Sequence, residues 1–405
     1  MPPSEITDEH VGLKAGATYS TFDLEQAPSA AETREAFVLF TVIGFSYLFS
    51  CFALLQPVDY WQLLFPTFNA EFEISWVYNG ASVATLLVLL WSGAAPAYVC
   101  RIVGGFAVIL VTMVALPASH FVLTSQPQHL GMVLGSTALV SVATATVDGT
   151  VLSLASLFPT GGMEHVQLGM GFALLVSALY RVATKALFDS ASVVPATMLF
   201  FGIAVLTVAS GLVATFRLLR LPTAQRCIHH ASKSQVIDFG ILRKIWRHEA
   251  LVSLAFGTTY VVYPGVVTTI PSYNVPALNA SGWWPLLLMT LFAASEASGR
   301  VCVRRRLGFT HATVWKLVFP RLLLIPLLVC AANGIYLTHD AISIALVMVL
   351  GFSNGYVGTL CVIVVNDAVD PHEQSVTGMF ASLCINLGIF SGATVSLVGA
   401  RLLGR

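Results

Sequence analysis

Three ionisable side chains stand inside apolar runs, where a charge is costly: Asp148, Glu296 and Arg300. Glu296 and Arg300 are four residues apart, one turn of helix, with the acid on the N-terminal side, which is the favourable order. As a pair they neutralise one another. One carboxylate does not use all five guanidinium donors, so Arg300 keeps capacity to bind hydroxyls or carbonyls of a polar solute. The bland alternative is an ion pair that locks two helices together. Asp148 lies in the run Val147-Asp148-Gly149-Thr150, and Thr137, Ser141 and Thr144 precede it at helical spacing. Hydroxyls alone can act as interhelical glue; with a carboxylate at its end, the stripe reads as a solute-facing surface. A carboxyl there can also carry a proton.

No other constellation offers chemistry. There is no catalytic triad, phosphate-binding loop or metal-ligand spacing, so the chain calls for no enzyme activity and no cofactor. The seven cysteines share no CxxC spacing and mostly sit in or beside apolar runs, as packing residues do. His229-His230 reads as solvated surface. The formal net charge is zero, which gives no reason to expect a nucleic-acid partner.

The elements that must position these residues are membrane helices. Hydrophobic residues make up 56% of the 405, charged residues only 10%, and the mean hydropathy is +0.81. A soluble domain carries about a quarter charged residues. A bilayer core about 30 Å thick needs about 20 apolar residues per helix. Such stretches fall at 36–58, 75–93, 97–118, 129–157, 165–187 and 193–216. After a polar interval they resume at 249–270, 283–303, 314–335, 340–365 and 374–402. The fold class is therefore an all-α polytopic membrane protein of about eleven helices, six and then five. The expected division is an acidic, disordered tail (1–35), an N-terminal bundle (36–219), a basic loop (220–248) and a C-terminal bundle (249–405).

Basic residues set the orientation. Arg217, Arg220, Arg226, Lys233, Arg243, Lys244 and Arg247 crowd the central interval, and Arg304 to Arg306 follow the eighth stretch. The segments 59–74, 119–128, 271–282 and 336–339 contain no Lys or Arg. The basic loop and the N-terminus are thus expected in the cytoplasm and the C-terminus outside. The tail has no apolar segment of a cleavable signal. The sequon at Asn279 lies close to the membrane and is expected to be unused. Three Gly-xxx-Gly pairs, Gly131/Gly135, Gly351/Gly355 and Gly388/Gly392, permit close helix approach. Pro264, Pro320 and Pro326 can bend their helices.

Taken in order, the motifs resemble the equilibrative nucleoside transporter family. Asp59-Tyr60-Trp61 is similar to the end of that family's first helix, and Arg101 to Gly105 to the start of its third. Asp148-Gly149-Thr150 running to Leu157-Phe158-Pro159 resembles its fourth. Tyr263-Pro264-Gly265-Val266 resembles the seventh, Glu296-Ala297-Ser298-Gly299-Arg300 the eighth, and Arg321 to Cys330 the ninth. The nearest block runs from Phe352-Ser353-Asn354-Gly355-Tyr356 to Cys361, followed by Gly378 and the Gly388/Gly392 pair. The sequence departs from the pattern where solute would be read. Leu48-Phe49-Ser50-Cys51-Phe52 lacks the family's Trp and Asn, Asp148 replaces a frequent Gln, Glu296 replaces Asp, and Ala293 replaces Asn.

The resemblance implies a major-facilitator-like, two-bundle fold that works by alternating access. Its substrates would be nucleosides or nucleobases, carried passively or with protons. Asp148, Glu296 and Arg300 would bind substrate, with Cys51, Ser141 and Thr144 beside them. Gly149, Pro264, Asn354, Gly355, Tyr356 and Gly378 would serve gating and packing. The expected partners are the small solute and the lipid bilayer, at the plasma membrane. Two other readings stay open: a carrier of another polar solute such as a sugar, and a non-transporting receptor or scaffold that kept the fold.

Overall fold

The computed structural model describes residues 29–66, 70–92, 97–158, 161–188, 193–233 and 240–402. The expected acidic tail up to residue 28 lies outside them, as does 234–239 of the basic interval. Among the described residues the chain is helical throughout, without strands. The first half consists of α1 (Ala30–Leu55), the short α2 (Val58–Leu64), α3 (Ala70–Trp91), α4 (Tyr98–Ser119), α5 (Gln126–Ser156), α6 (Gly162–Leu187) and α7 (Val193–Arg220). A connecting helix, α8 (Pro222–Lys233), follows. The second half contains α9 (Gly240–Val262), α10 (Gly265–Thr269), α11 (Pro276–Ala280), α12 (Trp283–Cys302), α13 (Trp315–Val318) and α14 (Leu324–Asn333). It closes with α15 (Asp340–Ser353), α16 (Thr359–Val365) and α17 (Gln374–Leu402).

Ten of these segments are long and apolar enough to cross a membrane. The 20-residue α12, which carries Glu296 and Arg300, is not among them. Its polar residues lower its hydropathy. Its length still matches a bilayer core at about 1.5 Å per residue, and it packs lengthwise against α15 and α6.

Two boundaries differ from the expectation. The first helix starts at Ala30 rather than 36, because the Ser29 hydroxyl caps it by accepting the Glu32 N–H at 3.1 Å. Glu32 in turn accepts the backbone N–H and the hydroxyl of Thr223, at 2.8 and 2.7 Å. The basic interval is helical at both ends: α8 has Pro222 as its first residue, and α9 begins at Gly240. Proline suits that first position because its missing N–H has no helical partner to lose.

The burial pattern inverts that of a soluble protein. Leu199, Leu206 and Val213 on α7 and Val108, Val111 and Val114 on α4 are exposed. Asp148, Thr150, Ser153, Gln167, Glu249, Glu296, Arg300, Arg321 and Asn354 are buried. Apolar outside and polar within suits a hydrocarbon solvent.

Within the first half α1 packs along α6 and α7, and α4 along α5 and α7; within the second, α9 lies along α17 and α12 along α15. Three seams join the halves: α5 with α17, α3 with α17, and α6 with α12. Glycines decide how closely the helices approach, within the second half and across the seams. A Cβ at Gly351 would fall 2.5 Å from the Phe292 carbonyl oxygen, and one at Gly388 2.5 Å from that of Ser253. At Gly378 it would lie 2.6 Å from the Leu152 oxygen, across the α5–α17 seam. The pair Gly131/Gly135 behaves differently: nothing lies within 4 Å of a Cβ at either position. That motif brings no helices together in this structure.

The ninth and tenth segments are broken. A 3-10 turn, Phe319–Leu323, separates α13 from α14, with Pro320 inside it. A π-helical turn, Asn354–Gly358, separates α15 from α16. The helix through 249–270 breaks at Tyr263-Pro264, between α9 and α10. Asn279 is held at both ends of its amide by Ser272, whose N–H it accepts at 2.7 Å and whose carbonyl it donates to at 2.9 Å.

Candidate functional site

Asp148 sits in the second half of α5, 4% exposed, where that helix meets α1 and α17. One carboxylate oxygen accepts the Tyr47 hydroxyl at 2.7 Å. The other accepts the Ser382 hydroxyl and, at 3.5 Å, the Asn386 amide. The carboxylate thus ties α1 and α5 in the first half to α17 in the second. Thr144 and Ser141 follow on the same face, one and two turns back. Thr144 lies 3.4 Å from the Ser50 hydroxyl; Ser141 donates to the Tyr78 carbonyl at 2.5 Å and lies 2.9 Å from Ser82. Cys51 is buried beside the Tyr78 hydroxyl, which also reaches Thr144. Asp148, Thr144, Ser141 and Cys51 therefore line one polar seam among α1, α3 and α5.

Glu296 and Arg300 form the second cluster, and their side chains are 4% and 5% exposed. The Arg300 Nη2 donates to Glu296 at 2.7 Å. Its Nη1 crosses to the first half and donates to both the backbone and the side-chain oxygen of Gln167, each at 2.6 Å. A fork can do this and a point charge cannot. The arginine fits against α6 because residue 171 is glycine: a Cβ there would lie 2.6 Å from the Arg300 Cδ.

Glu296 also accepts the Asn354 amide at 3.0 Å. The Asn354 oxygen accepts the Thr259 hydroxyl at 2.9 Å, and Arg321 donates to that same hydroxyl at 2.6 Å. Arg321 completes its shell on the Ala255 carbonyl (2.7 Å) and Ser353 (3.0 Å). The result is a buried chain from Gln167 through Arg300, Glu296, Asn354 and Thr259 to Arg321. Tyr260 on α9 lies in electrostatic reach of both Cys51 and the Glu296–Arg300 pair, and Arg300 acts on Tyr47. The two clusters are neighbours in one site.

The expected gating and packing residues divide. Asn354 belongs to the polar chain itself. Gly355 lets α12 touch the π turn, since a Cβ there would overlap the Glu296 carbonyl oxygen and lie 3.0 Å from the Arg300 nitrogen. Gly149 faces Leu86, 2.9 Å from where its Cβ would be. Tyr356 donates to the Arg305 carbonyl at 2.9 Å, at the end of α12 and away from the polar chain. Gly378 lies on the α5–α17 seam, and Pro264 stands at the α9–α10 break.

Reading the sequence missed Tyr47, Gln167, Thr259, Ser382, Asn386 and the role of Arg321. Ser382 and Asn386 stand at i, i+4 in an apolar helix, and Gln167 and Arg321 are polar intruders in apolar runs. That signal was available.

Contacts between the halves occur at both ends of the bundle. Toward the end bearing α8, Arg306 pairs with Glu164 at 3.7 Å and Arg304 meets His165 at 3.1 Å. At the same end Ser375 on α17 lies 2.8 Å from both Tyr98 and Ser153. Toward the other end the Lys185 ammonium lies over the Trp283 ring at 5.3 Å, and Trp76 meets Phe390 at 6.1 Å.

Comparison with known proteins agrees with this architecture. Residues 221–400 match the family model described as nucleoside transporter. Equilibrative nucleotide transporter 8 of Arabidopsis thaliana is 23% identical over 373 residues, 89% of this chain and 94% of that protein. Nucleoside transporter 2 of Leishmania donovani is 30% identical over 163 residues, 39% of this chain and 31% of that protein. Among solved structures, the major facilitator proton:xylose symporter XylE superposes with a TM-score of 0.65 at 10% identity, covering 93% of this chain and 90% of that one. The chain has the major facilitator fold, and it is similar to nucleoside and nucleotide transporters of the equilibrative type, through the family model in its second half and through low identity over most of its length.

Proposed function

We propose that this protein carries nucleosides across a membrane by alternating access, with the buried polar site as the substrate site. The observation that carries this reading is that buried polar side chains of the two halves bond one another in the interior: Asp148 to Ser382, and Arg300 to Gln167. Related proteins are named for nucleoside and nucleotide transport, and a carrier of this kind performs no covalent chemistry. A nucleoside offers hydroxyl donors and acceptors on the ribose and an edge of donors and acceptors on the base. Glu296 accepts from ribose hydroxyls and Arg300 donates to them, while Asp148, Tyr47 and Asn386 read the base. Each protein–protein bond is exchanged for a protein–solute bond, so entry costs little net hydrogen bonding. Among the described residues the Gln167 side-chain nitrogen has no acceptor, which leaves a donor ready for solute.

The helices 36–219 rock against 249–405, breaking the Arg306–Glu164 end or the Lys185–Trp283 end in turn. The basic-loop end faces the cytoplasm, in keeping with the positive-inside rule, which puts the C-terminus outside, and the plasma membrane is the site of action. Protons are a coupling partner.

Uptake of radiolabelled adenosine, uridine, hypoxanthine and adenine in cells lacking their own carriers tests the reading. Saturable uptake of a nucleoside, lost in Arg300→Ala at matched surface expression, is expected. Absence of uptake of all four at normal surface expression would sink it.

A further inference from the structure

Glu249 stands apart from the site just described. It lies on α9 and is 2% exposed. Five residues before it, about 7 Å along the helix axis, Lys244 pairs with Glu373 at 2.7 Å and with Asp370 at 3.6 Å at the basic-loop end. Among the described residues no N–H or O–H donor reaches either Glu249 carboxylate oxygen, and the Cys384 thiol beside it is a weak donor. Asp148 is the contrast: three donors satisfy it.

The groups around Glu249 do not compensate a charge. On α17 it faces the thiol of Cys384, and on α16 it acts on that of Cys361. Both are weak donors at best. On α9 itself, Ser253 spends its hydroxyl on the Cys384 carbonyl, His248 stands edge-on to His311, and Arg247 lies over Trp246. Arg321, in the 3-10 turn before α14, is committed to Ala255, Thr259, Ser353 and Asn354. An ionised carboxylate enclosed with no donor stronger than a thiol and no cation is among the most costly arrangements a fold can hold, and the group neutralises instead.

We propose that Glu249 is a proton-binding site coupled to the transport cycle. Its carboxyl holds a proton while α9, α16 and α17 close around it, and releases that proton to water when the basic-loop end opens. The step breaks one O–H bond and passes the proton to solvent, leaving a hydrated carboxylate; closing reverses it. This inference rests on the alternating-access reading and assigns the proton to Glu249 rather than to Asp148.

The test is infrared spectroscopy of the full-length protein in lipid, titrated from acidic to alkaline buffer. A protonated-carboxyl C=O band is expected, lost in Glu249→Gln, shifted in Glu249→Asp, and kept in Asp148→Asn and His248→Gln. Should the Gln variant not fold, the shift in the Asp variant assigns the band. Locking the basic-loop end with a Ser153→Cys/Ser375→Cys disulfide should keep the band in alkaline buffer, and reduction should let it titrate. A band unchanged in both Glu249 variants, or one that titrates equally with the lock closed, overturns the proposal. None of these readouts requires a transported nucleoside. A protein that shows the band but takes up no nucleoside contradicts the function proposed above and leaves this inference standing.

Discussion

Arg300 spends its fork in two directions, on Glu296 within its own helix and on Gln167 across the seam. Lysine cannot reproduce both contacts, so Arg300→Lys should lower uptake at least about tenfold while the charge is kept. Asp148→Asn should be milder. Ser382 can turn its hydroxyl to donate elsewhere, and the loss of one bond corresponds to about 1 kcal/mol, read as an increase in KM for uptake of about fivefold. An Arg300→Lys variant with wild-type kinetics at matched surface expression would remove the arginine from the solute path. Asp148, Glu296 and Arg300 were readable from sequence because charge in an apolar run is rare and has few explanations. Gln167 and Asn386 were not read, because a single amide in a long apolar segment resembles ordinary helix glue until its partner is known. Glu249 went unread for another reason: it borders the basic interval, where an acid looks solvated until the helix is seen to begin at Gly240.

Helix spacing follows from glycines that the sequence motif alone does not rank. Gly131/Gly135 and Gly351/Gly355 have the same pattern, yet a Cβ at Gly355 would run into the Glu296 carbonyl and a Cβ at Gly131 meets nothing. The difference is which face of each helix packs, and that is a tertiary fact. Gly355→Ala should therefore push the π turn away from α12 and lower stability by about 1–3 kcal/mol. Gly131→Ala should leave it unchanged or raise it by up to about 1 kcal/mol through helix propensity. Thermal unfolding of the two purified variants in one detergent separates these cases; equal melting temperatures would contradict the packing account. The succession of helices was readable because apolar length is a strong signal. The breaks at Phe319–Leu323 and Asn354–Gly358 were not, although Pro320 marked the first; a π turn has no comparable residue signature.

Across the molecule, the halves touch at both ends of a polar centre, and a carrier must break one set of contacts at a time. Ser153 and Ser375 oppose each other at 2.8 Å between hydroxyl oxygens, close enough for a disulfide of about 2 Å between sulfurs with small adjustment. Cross-linking Ser153→Cys to Ser375→Cys should abolish uptake, and reduction should restore it. Uptake unaffected by a complete cross-link would mean that this seam does not open. The two-half architecture was readable from sequence through the resemblance, whereas the contacts that join the halves at both ends were not, because they are tertiary pairings such as Arg306–Glu164 and Lys185–Trp283. The most direct test of the central claim, one buried site exposed alternately to the two sides, is counterflow in proteoliposomes of the purified protein. Vesicles loaded with unlabelled nucleoside should transiently accumulate external labelled nucleoside above equilibrium, and Arg300→Ala vesicles should not. Labelled nucleoside that merely equilibrates, at the same rate with wild type and Arg300→Ala, would contradict the account.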